Sequence, residues 1–295
     1  MSVRWCWPLT GKKINLRSFP SGLRVMIFLL CLLGLWGPGA LLIHRVLGGR
    51  LGRPDVATAI ALILLYGLFV FLVRRWGRRV HRWPRPLRHL GLVGGWRQFL
   101  NRLLRAGLLG LGGVVLLFGL QLLLGWAVPQ WPALGWPLLR LLAEASLVGL
   151  AYGLLEELLF RGWLLAELEA GGSRRTALVA NALIFALAHF IKPWAEILRT
   201  FPQFLGLLIL GLALVWARRA APASLALPIG LHGGLVGGYY LFNVGDWVTH
   251  TGLAPDWVTG IDRNPLAGLL GVGLLSAIAL YFARQAQANA SGPPR

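Results

Sequence analysis

The sequence predicts an all-α fold, a polytopic bundle of about eight transmembrane helices, and two observations carry this prediction. Hydrophobic residues make up 57% of the 295 residues and charged residues only 13%, about half the charged fraction of a soluble domain. The apolar residues also fall in blocks of roughly 18 to 25, long enough to cross a hydrocarbon core of about 30 Å as helices. Because lipid offers the backbone no hydrogen-bond partners, such blocks should be helical.

The order of the blocks predicts where each membrane helix lies. The eight ranges are 23–46, 57–74, 105–128, 137–169, 175–192, 203–219, 223–243 and 266–283. The first block continues past Gly37 and Pro38 without a small-residue cleavage site, so we interpret it as an uncleaved helix rather than a signal peptide.

Polar and ionisable residues appear in mid-span only in the fourth to seventh predicted helices. We therefore divide the chain into three segments. Residues 1–136 form a transmembrane scaffold with an Arg-rich loop, and residues 137–245 form the polar intramembrane core. Residues 246–295 form an outer loop, the last membrane helix and a flexible tail after Gln285.

The net charge of +19 lies between the apolar blocks, with ten arginines and no acidic residue from Arg74 to Arg105. A nucleic-acid-binding protein would carry its basic face on a soluble domain, so we exclude nucleic acid and expect the bilayer, with its anionic lipids, as a partner. The positive-inside rule places this loop and the Lys12–Lys13 tail inside. We predict a multi-pass protein of a bacterial-type plasma or internal membrane with both termini cytoplasmic.

Three ionisable residues lie within six positions of the fourth predicted helix: Glu156, Glu157 and Arg161. Each costs roughly 2.5 to 3.5 kcal/mol to insert into lipid, so their presence needs a reason. Glu157 and Arg161 are four residues apart, share a helical face and can pair. Glu156 points about 100° away and is left without that partner. A carboxylate removed from water becomes a stronger base, which general-base catalysis requires.

Two histidines on later helices are predicted to reach the depth of Glu156. Counted from inner helix ends near 170, 175 and 220, Glu156, His189 and His232 lie 14, 14 and 12 residues into their helices. At about 1.5 Å per residue, all three are roughly 18 to 21 Å from the inner end. Three polar side chains at one depth on three helices can line a single cavity.

Each of these features also has a purely structural explanation. A membrane Glu–Arg pair can hold helices together, and a membrane histidine can serve only as a hydrogen-bonding group. Gly230, Gly233 and Gly234, which flank His232, favour close helix packing. Glu167 and Glu169, at the inner end of the fourth helix, are predicted to be solvated, and His81 is assigned no role.

The three motifs together resemble those of the CPBP family, which includes the type II CAAX prenyl proteases and the bacterial Abi-like proteins. Glu156-Glu157-x-x-x-Arg161 resembles that family's EExxxR motif, and Phe185-x-x-x-His189 resembles its FxxxH motif. His232 resembles its last histidine motif. The order and approximate spacing agree across roughly residues 137 to 245.

The resemblance implies an intramembrane endopeptidase that acts on a membrane protein or a lipidated, CAAX-like peptide. It implies that Glu156 activates water with help from His189. It also implies that Glu157 and Arg161 hold the site and that His232 stabilises the oxyanion. The family often has Asn or Asp four residues after the last His, where this chain has Val236; Asn181 and Asn243 are the nearest polar candidates to compensate.

Metal dependence and two other classes of function stay open at the level of sequence. Glu156, His189 and His232 could bind zinc with water as the fourth ligand, but HExxH is absent, and we favour a metal-free general base with no cofactor. Val236 favours a non-catalytic binding or immunity protein that retains the pocket. A proton-coupled transporter would use the same residues as a relay, yet the sequence shows no internal repeat.

Overall fold

The computed structural model describes residues 15–92, 95–131 and 134–291, and this part of the chain confirms the all-α prediction. The helices are α1 Ser21–Ile43, α2 Pro54–Arg79, α3 Pro86–His89, α4 Trp96–Leu123, α5 Trp136–Glu157, α6 Leu165–Gly171, α7 Arg174–Ala188, α8 Trp194–Thr200, α9 Gln203–Ala220, α10 Ala226–Val244, α11 Asp256–Thr259 and α12 Leu269–Ser291. The Lys12–Lys13 pair used in the topology argument lies outside the described residues.

Six helices of the described part are long and apolar enough to cross a membrane, so the predicted count of eight is not confirmed. They are Ser21–Arg50, Pro54–Arg79, Trp96–Leu123, Trp136–Gly171, Gln203–Ala220 and Leu269–Ser291. The two predicted spans missing from this set are α7 and α10. α7 has only 15 residues, and the glycines, tyrosines and His232 of α10 lower its hydropathy. The chain is a multi-pass integral membrane protein.

Several helix ends differ from the predicted ones. α4 begins at Trp96 rather than near 105, because the arginines of its first turns are compatible with a helix although not with lipid. α7 ends at Ala188, four residues before the predicted end at 192. α12 continues to Ser291, so helix replaces the flexible tail expected after Gln285, and residues 292–295 lie outside the described range.

Two stretches of π-helix extend the α-helices that precede them. His44–Arg50 follows α1 directly, and Leu158–Leu164 joins α5 to α6. The second stretch begins immediately after Glu157 and contains Arg161. Short π-helical insertions are rare and occur frequently at functional sites.

A small sheet and short helices lie between the long helices. α4 ends at Leu123, so the last residues of the predicted helix 105–128 form a strand instead. β1, Ala127–Pro129, pairs antiparallel with β2, Val248–His250, so that Ala127 is opposite His250. α8 lies in the loop between α7 and α9, and α11 lies between β2 and α12. This ordered structure was not predicted, since none of these segments is longer than seven residues.

The chain divides into two compact units. Within the described residues, the first comprises 15–89 and Glu167–Gly172, and the second comprises the rest. Within the second unit, α4 packs against α10, which carries His232. The three functional segments predicted from the sequence stay a prediction.

In the first unit, Glu167 is fully buried, which corrects the prediction that it is solvated. Its Oε2 accepts a hydrogen bond from Arg24 Nε at 2.9 Å. Its Oε1 accepts one from Trp76 Nε1 at 2.7 Å and lies 2.5 Å from His81 Nε2. Arg24 and His81 are buried as well, and a buried carboxylate needs such partners. The position of Glu167 at a helix end suggested solvent, and partners 86 to 143 positions away leave no local signal in the sequence. Glu169 is exposed, as predicted.

In the second unit, α10 lies between α4 and α5 at glycine-lined contacts. A Cβ atom at Gly234 would overlap the carbonyl oxygen of Gly107 on α4. A Cβ atom at Gly233 would lie 2.9 Å from the carbonyl oxygen of Gly149 on α5. The glycines that flank His232 therefore allow close helix packing. This packing brings His232 within hydrogen-bond distance of Glu157 on α5.

We expect Gly234→Ala to destabilise the second unit by about 1 to 3 kcal/mol, because α4 and α10 must separate to admit the methyl group. Thermal unfolding in detergent would measure the change. Gly112→Ala on α4 is the matched control, since its Cβ would meet nothing within 4 Å. That substitution should be neutral or stabilising, and equal melting temperatures for the two variants would contradict the close-packing argument.

Candidate active site

The paired charges of the site lie where α5 passes into its π-helical extension. Arg161 Nη1 donates a hydrogen bond to Glu157 Oε1 at 3.0 Å, and both side chains are fully buried. Arg161 Nη2 donates to the carbonyl oxygen of Gly211 on α9 at 3.2 Å. The guanidinium also lies 4.2 Å from the ring centroid of Phe185 on α7, a cation–π contact. Arg161 thus ties three helices together.

Glu157 also binds His232, a contact that the sequence did not predict. His232 Nδ1 lies 2.9 Å from Glu157 Oε1, the same oxygen that accepts from Arg161. Glu157 Oε1 already accepts a hydrogen bond from Arg161, so it is the acceptor here as well and His232 Nδ1–H is the donor. The other ring nitrogen, Nε2, is left to face Glu156.

Glu156 lies near both histidines without a direct hydrogen bond to either. Glu156 Oε2 lies 3.9 Å from His189 Nε2 and 4.0 Å from His232 Nε2. Both distances are too long for direct hydrogen bonds. Glu156 Oε2 is buried and has no hydrogen-bond partner among the described residues. A single water molecule can bridge polar atoms at such separations, so Glu156 and an imidazole can share a bound water.

His189 is oriented by the backbone of its own helix. Its Nδ1 lies 2.8 Å from the carbonyl oxygen of Phe185. A carbonyl oxygen only accepts, so Nδ1 carries a proton, and Nε2 is the ring nitrogen that faces Glu156. The side chain of His189 is 32% exposed, compared with 20% for Glu156 and 5% for His232. The site therefore opens beside His189.

The early end of α7 places His189 at a helix terminus rather than in mid-helix. Fifteen residues rise about 22 Å, less than the hydrocarbon thickness of about 30 Å. The chain leaves the helix at His189 and turns before Pro193. Pro193 indicates in the sequence that the helix ends early, since the residue before a proline disfavours helical conformation.

The polar residues considered as substitutes at Val236 do not reach that position. Asn181 Nδ2 donates to the carbonyl oxygen of Phe160 at 2.7 Å, within the π-helical stretch. Asn243 is exposed and lies eleven residues after His232, about 16 Å along the helix. Val236 is partly buried one turn beyond His232, so an aliphatic side chain occupies this position.

The predicted site residues thus come together in one cluster, which also includes two groups that the sequence analysis did not assign. The ring of Phe185 contacts Arg161, and the carbonyl oxygen of Phe185 accepts a hydrogen bond from His189. The FxxxH motif could have identified Phe185 from the sequence. The carbonyl oxygen of Gly211 binds Arg161, and a backbone acceptor leaves no signal in the sequence.

A zinc ion does not fit the side chains as they are placed. Ligands at about 2.1 Å around a tetrahedral zinc lie roughly 3.4 Å from one another, which is closer than the distances from Glu156 to the two histidines. Within the described ranges, no group of three His, Cys, Asp or Glu side chains is arranged to hold a metal ion. The metal-free mechanism stays a prediction.

Fold and site together define a multi-pass membrane protein with a buried carboxylate–histidine cluster. A model described as Type II CAAX prenyl endopeptidase Rce1-like matches residues 136–236. This stretch contains all five predicted site residues, and the match confirms the resemblance to the CPBP/CAAX protease family. At the level of the family, it supports a protease of the CAAX endopeptidase type. No curated protein and no solved structure matches the chain significantly.

Proposed function

We propose that this protein is an intramembrane endopeptidase that hydrolyses a peptide bond in a membrane-associated or lipid-modified substrate with a water activated by Glu156. The observation that carries the proposal is the unpartnered Oε2 of Glu156, which faces the Nε2 atoms of His189 and His232 at 3.9 and 4.0 Å. A base and two imidazoles at distances that a water can bridge are the groups that amide hydrolysis needs.

Each proton transfer of the reaction can be assigned to a residue of the site. Glu156 takes a proton from the water while His189 Nε2 accepts the second water hydrogen as a hydrogen bond. The hydroxide adds to the peptide carbonyl carbon. The mechanism requires the doubly protonated form of His232, oriented by Glu157, so that Nε2–H donates a hydrogen bond to the oxyanion. Glu156 then returns its proton to the leaving nitrogen as the C–N bond breaks. The products are a carboxylic acid and an amine.

The test is cleavage of a mixed library of quenched peptides by purified protein, with and without a farnesyl group on each peptide. Wild type should cleave and Glu156→Gln should not. Preferential cleavage of farnesylated peptides would support a CAAX-like substrate. If activity is lost with a chelator and restored by zinc, the metal-free mechanism is wrong.

Val236 supports one second candidate, a membrane binding protein that retains the pocket without turnover. If neither wild type nor Glu156→Gln cleaves any peptide while both are folded, the result favours the binding protein over the peptidase. Partner binding should then survive Glu156→Gln. Loss of binding in that variant would count against it.

We expect Val236→Asn to raise kcat by about tenfold, because an amide one turn from His232 would add a second donor for the oxyanion; one such donor is worth roughly 10²–10³-fold when ideally placed. The measurement is kcat on the best peptide from the library. Val236→Leu is the control that preserves the apolar character. Unchanged kcat in Val236→Asn would show that the oxyanion does not form beside this turn of α10.

A further inference from the structure

We propose that α8 is immersed in the bilayer, with one apolar face against lipid acyl chains and its charged face held to the protein by Arg199 and Asp262. Its residues, Trp194–Thr200, lie outside every membrane helix predicted from the sequence. Short turns connect α8 to α7 and α9, and all three helices belong to the second unit. The proposal does not depend on the proposed peptidase activity.

The depth of α8 follows from the lengths of the two helices that it connects. α7 begins at Arg174 and Arg175, and the last turn of α9 contains Arg218 and Arg219. Arg219 Nη2 donates a hydrogen bond to the carbonyl oxygen of Arg174 at 2.6 Å, so these two helix ends lie together. Arginines near the ends of membrane helices extend to the interface, which places this level at one boundary of the hydrocarbon.

α8 lies near the opposite boundary but has not left the hydrocarbon. The 15 residues of α7 rise about 22 Å from the level of the arginines, and the 18 residues of α9 rise about 27 Å. Both lengths are less than the hydrocarbon thickness of about 30 Å. Any tilt of the two helices would bring the residues between them deeper still.

The side chains of α8 and the residue after it are divided into an apolar face and a charged face. Trp194, Leu198 and Phe201 follow one another at intervals of four and three residues, which places them within an arc of about 60°. Their exposed fractions are 70%, 60% and 59%. Glu196 and Arg199, the two charged residues of α8, lie on the other side of the helix.

The charged face of α8 is tied to the protein. Arg199 is ion-paired with Glu196 on the same helix and with Asp262, which precedes α12. Thr200, next to Arg199, is buried, and its hydroxyl donates to the carbonyl oxygen of Glu196 at 2.6 Å. Charged side chains within a membrane pair with one another and face the protein rather than lipid. These contacts therefore orient α8 so that its apolar face points outward.

Three phenylalanine rings hold the chain at the two ends of α8. The ring of Phe190, before α8, has its centroid 6.1 Å from that of Phe201, which follows α8. Phe201 stacks on Phe204 of α9, with centroids 5.9 Å apart and 8° between the ring planes. Aromatic pairs of this kind stabilise a structure beyond the effect of the area that they bury. The apolar face thus belongs to a fixed helix rather than to a flexible loop.

Acyl chains are the occupant that the position and composition of this face favour. Exposed leucines of the two adjoining helices, Leu187 on α7 and Leu205 on α9, extend the apolar surface on both sides of α8. Within lipid, apolar side chains gain no hydrophobic driving force from contact with another protein, and helices associate there through small and polar residues. The large side chains of Trp194, Leu198 and Phe201 are of neither kind.

The experiment is electron paramagnetic resonance of a spin label on the full-length protein in vesicles of phosphatidylglycerol and phosphatidylethanolamine. Cys6→Ser/Cys31→Ser removes the two native cysteines, and Leu198→Cys places the label on the apolar face. The label should collide severalfold more often with oxygen, which concentrates in hydrocarbon, than with a water-soluble nickel complex. Trp194→Cys, a second label position on the same face, should give the same result.

Two further label positions calibrate the measurement. Leu116→Cys, exposed in the apolar part of α4, is the reference for hydrocarbon, and Arg85→Cys, exposed in the arginine-rich loop, is the reference for water. Collision rates at Leu198→Cys like those at Leu116→Cys support the proposal. Rates like those at Arg85→Cys would show a water-exposed loop and overturn it. Low rates with both reagents would show that a protein partner or a second copy covers the face, which would also overturn it.

Arg199→Gln tests whether the ion pair with Asp262 holds α8 in this orientation. The label at Leu198→Cys should become more mobile, and its excess of oxygen over nickel collisions should fall severalfold. Lys192→Gln is the matched control, since it makes the same charge change two residues before α8, and it should leave the label unchanged. The same spectrum and collision rates in both glutamine variants would overturn the proposed role of Arg199 and Asp262.

Discussion

Glu156→Gln should lower kcat by about 10³-fold, within the range of roughly 10²–10⁴ that general-base catalysis contributes. The amide retains the shape of the carboxylate but cannot take a proton from water. Stability should stay within about 0.5 kcal/mol of wild type, because Glu156 Oε2 makes no hydrogen bond to the described residues. The measurements are kcat on the best library peptide and thermal unfolding in the same detergent.

Two carboxylates of the same helix provide controls for this prediction. Glu157→Gln should weaken the contacts to Arg161 and His232 and so lower stability as well as turnover. Glu144, which is paired with Arg140 and partly exposed, should tolerate glutamine without loss of turnover. Full activity in Glu156→Gln would show that Glu156 is not the general base. A fall in stability equal to that of Glu157→Gln would show a structural role instead.

Arg161→Met should destabilise the second unit by about 3 to 5 kcal/mol, because it leaves Glu157 as a buried carboxylate without its cation. The arginine also loses its contacts with the carbonyl oxygen of Gly211 and the ring of Phe185. The measurement is the free energy of unfolding in detergent, with turnover followed in parallel.

The double variant Glu157→Met/Arg161→Met separates charge from packing. Removing both partners avoids the unpaired buried charge, so much of the stability should return. Turnover should not return, since His232 would have lost the carboxylate that orients its Nδ1. If the double variant is as unstable as Arg161→Met alone, packing rather than charge dominates this part of the site.

The sequence was most informative about charged residues in the membrane, because their insertion into lipid costs free energy. The cost of charge in hydrocarbon pointed to Glu156, Glu157 and Arg161, and counting depth along helices brought two histidines to the same level. Both arguments need only the rise of a helix and the thickness of a membrane. They led to a cluster in which Glu156 lies within 4.0 Å of both imidazoles.

The sequence was least informative where a residue's role depends on a distant segment. Nothing local to Glu167 indicates that Arg24, Trp76 and His81 surround it, since these partners lie 86 to 143 positions away. The hydrogen bond from His232 to Glu157 spans 75 positions and requires the glycine contacts of α10. Pairings of this kind depend on tertiary packing, whereas helix periodicity reports only local structure.

The π-helical stretch Leu158–Leu164 means that one helical wheel cannot describe which residues of Trp136–Gly171 share a face. Each extra residue taken up by a widened turn shifts later side chains by about 100° from the phase of an uninterrupted α-helix. A helical wheel drawn from Trp136 to Gly171 is therefore correct up to Glu157 and out of phase after Leu164. The side chains of α5 and those of α6 therefore need two separate helical wheels, each with its own phase.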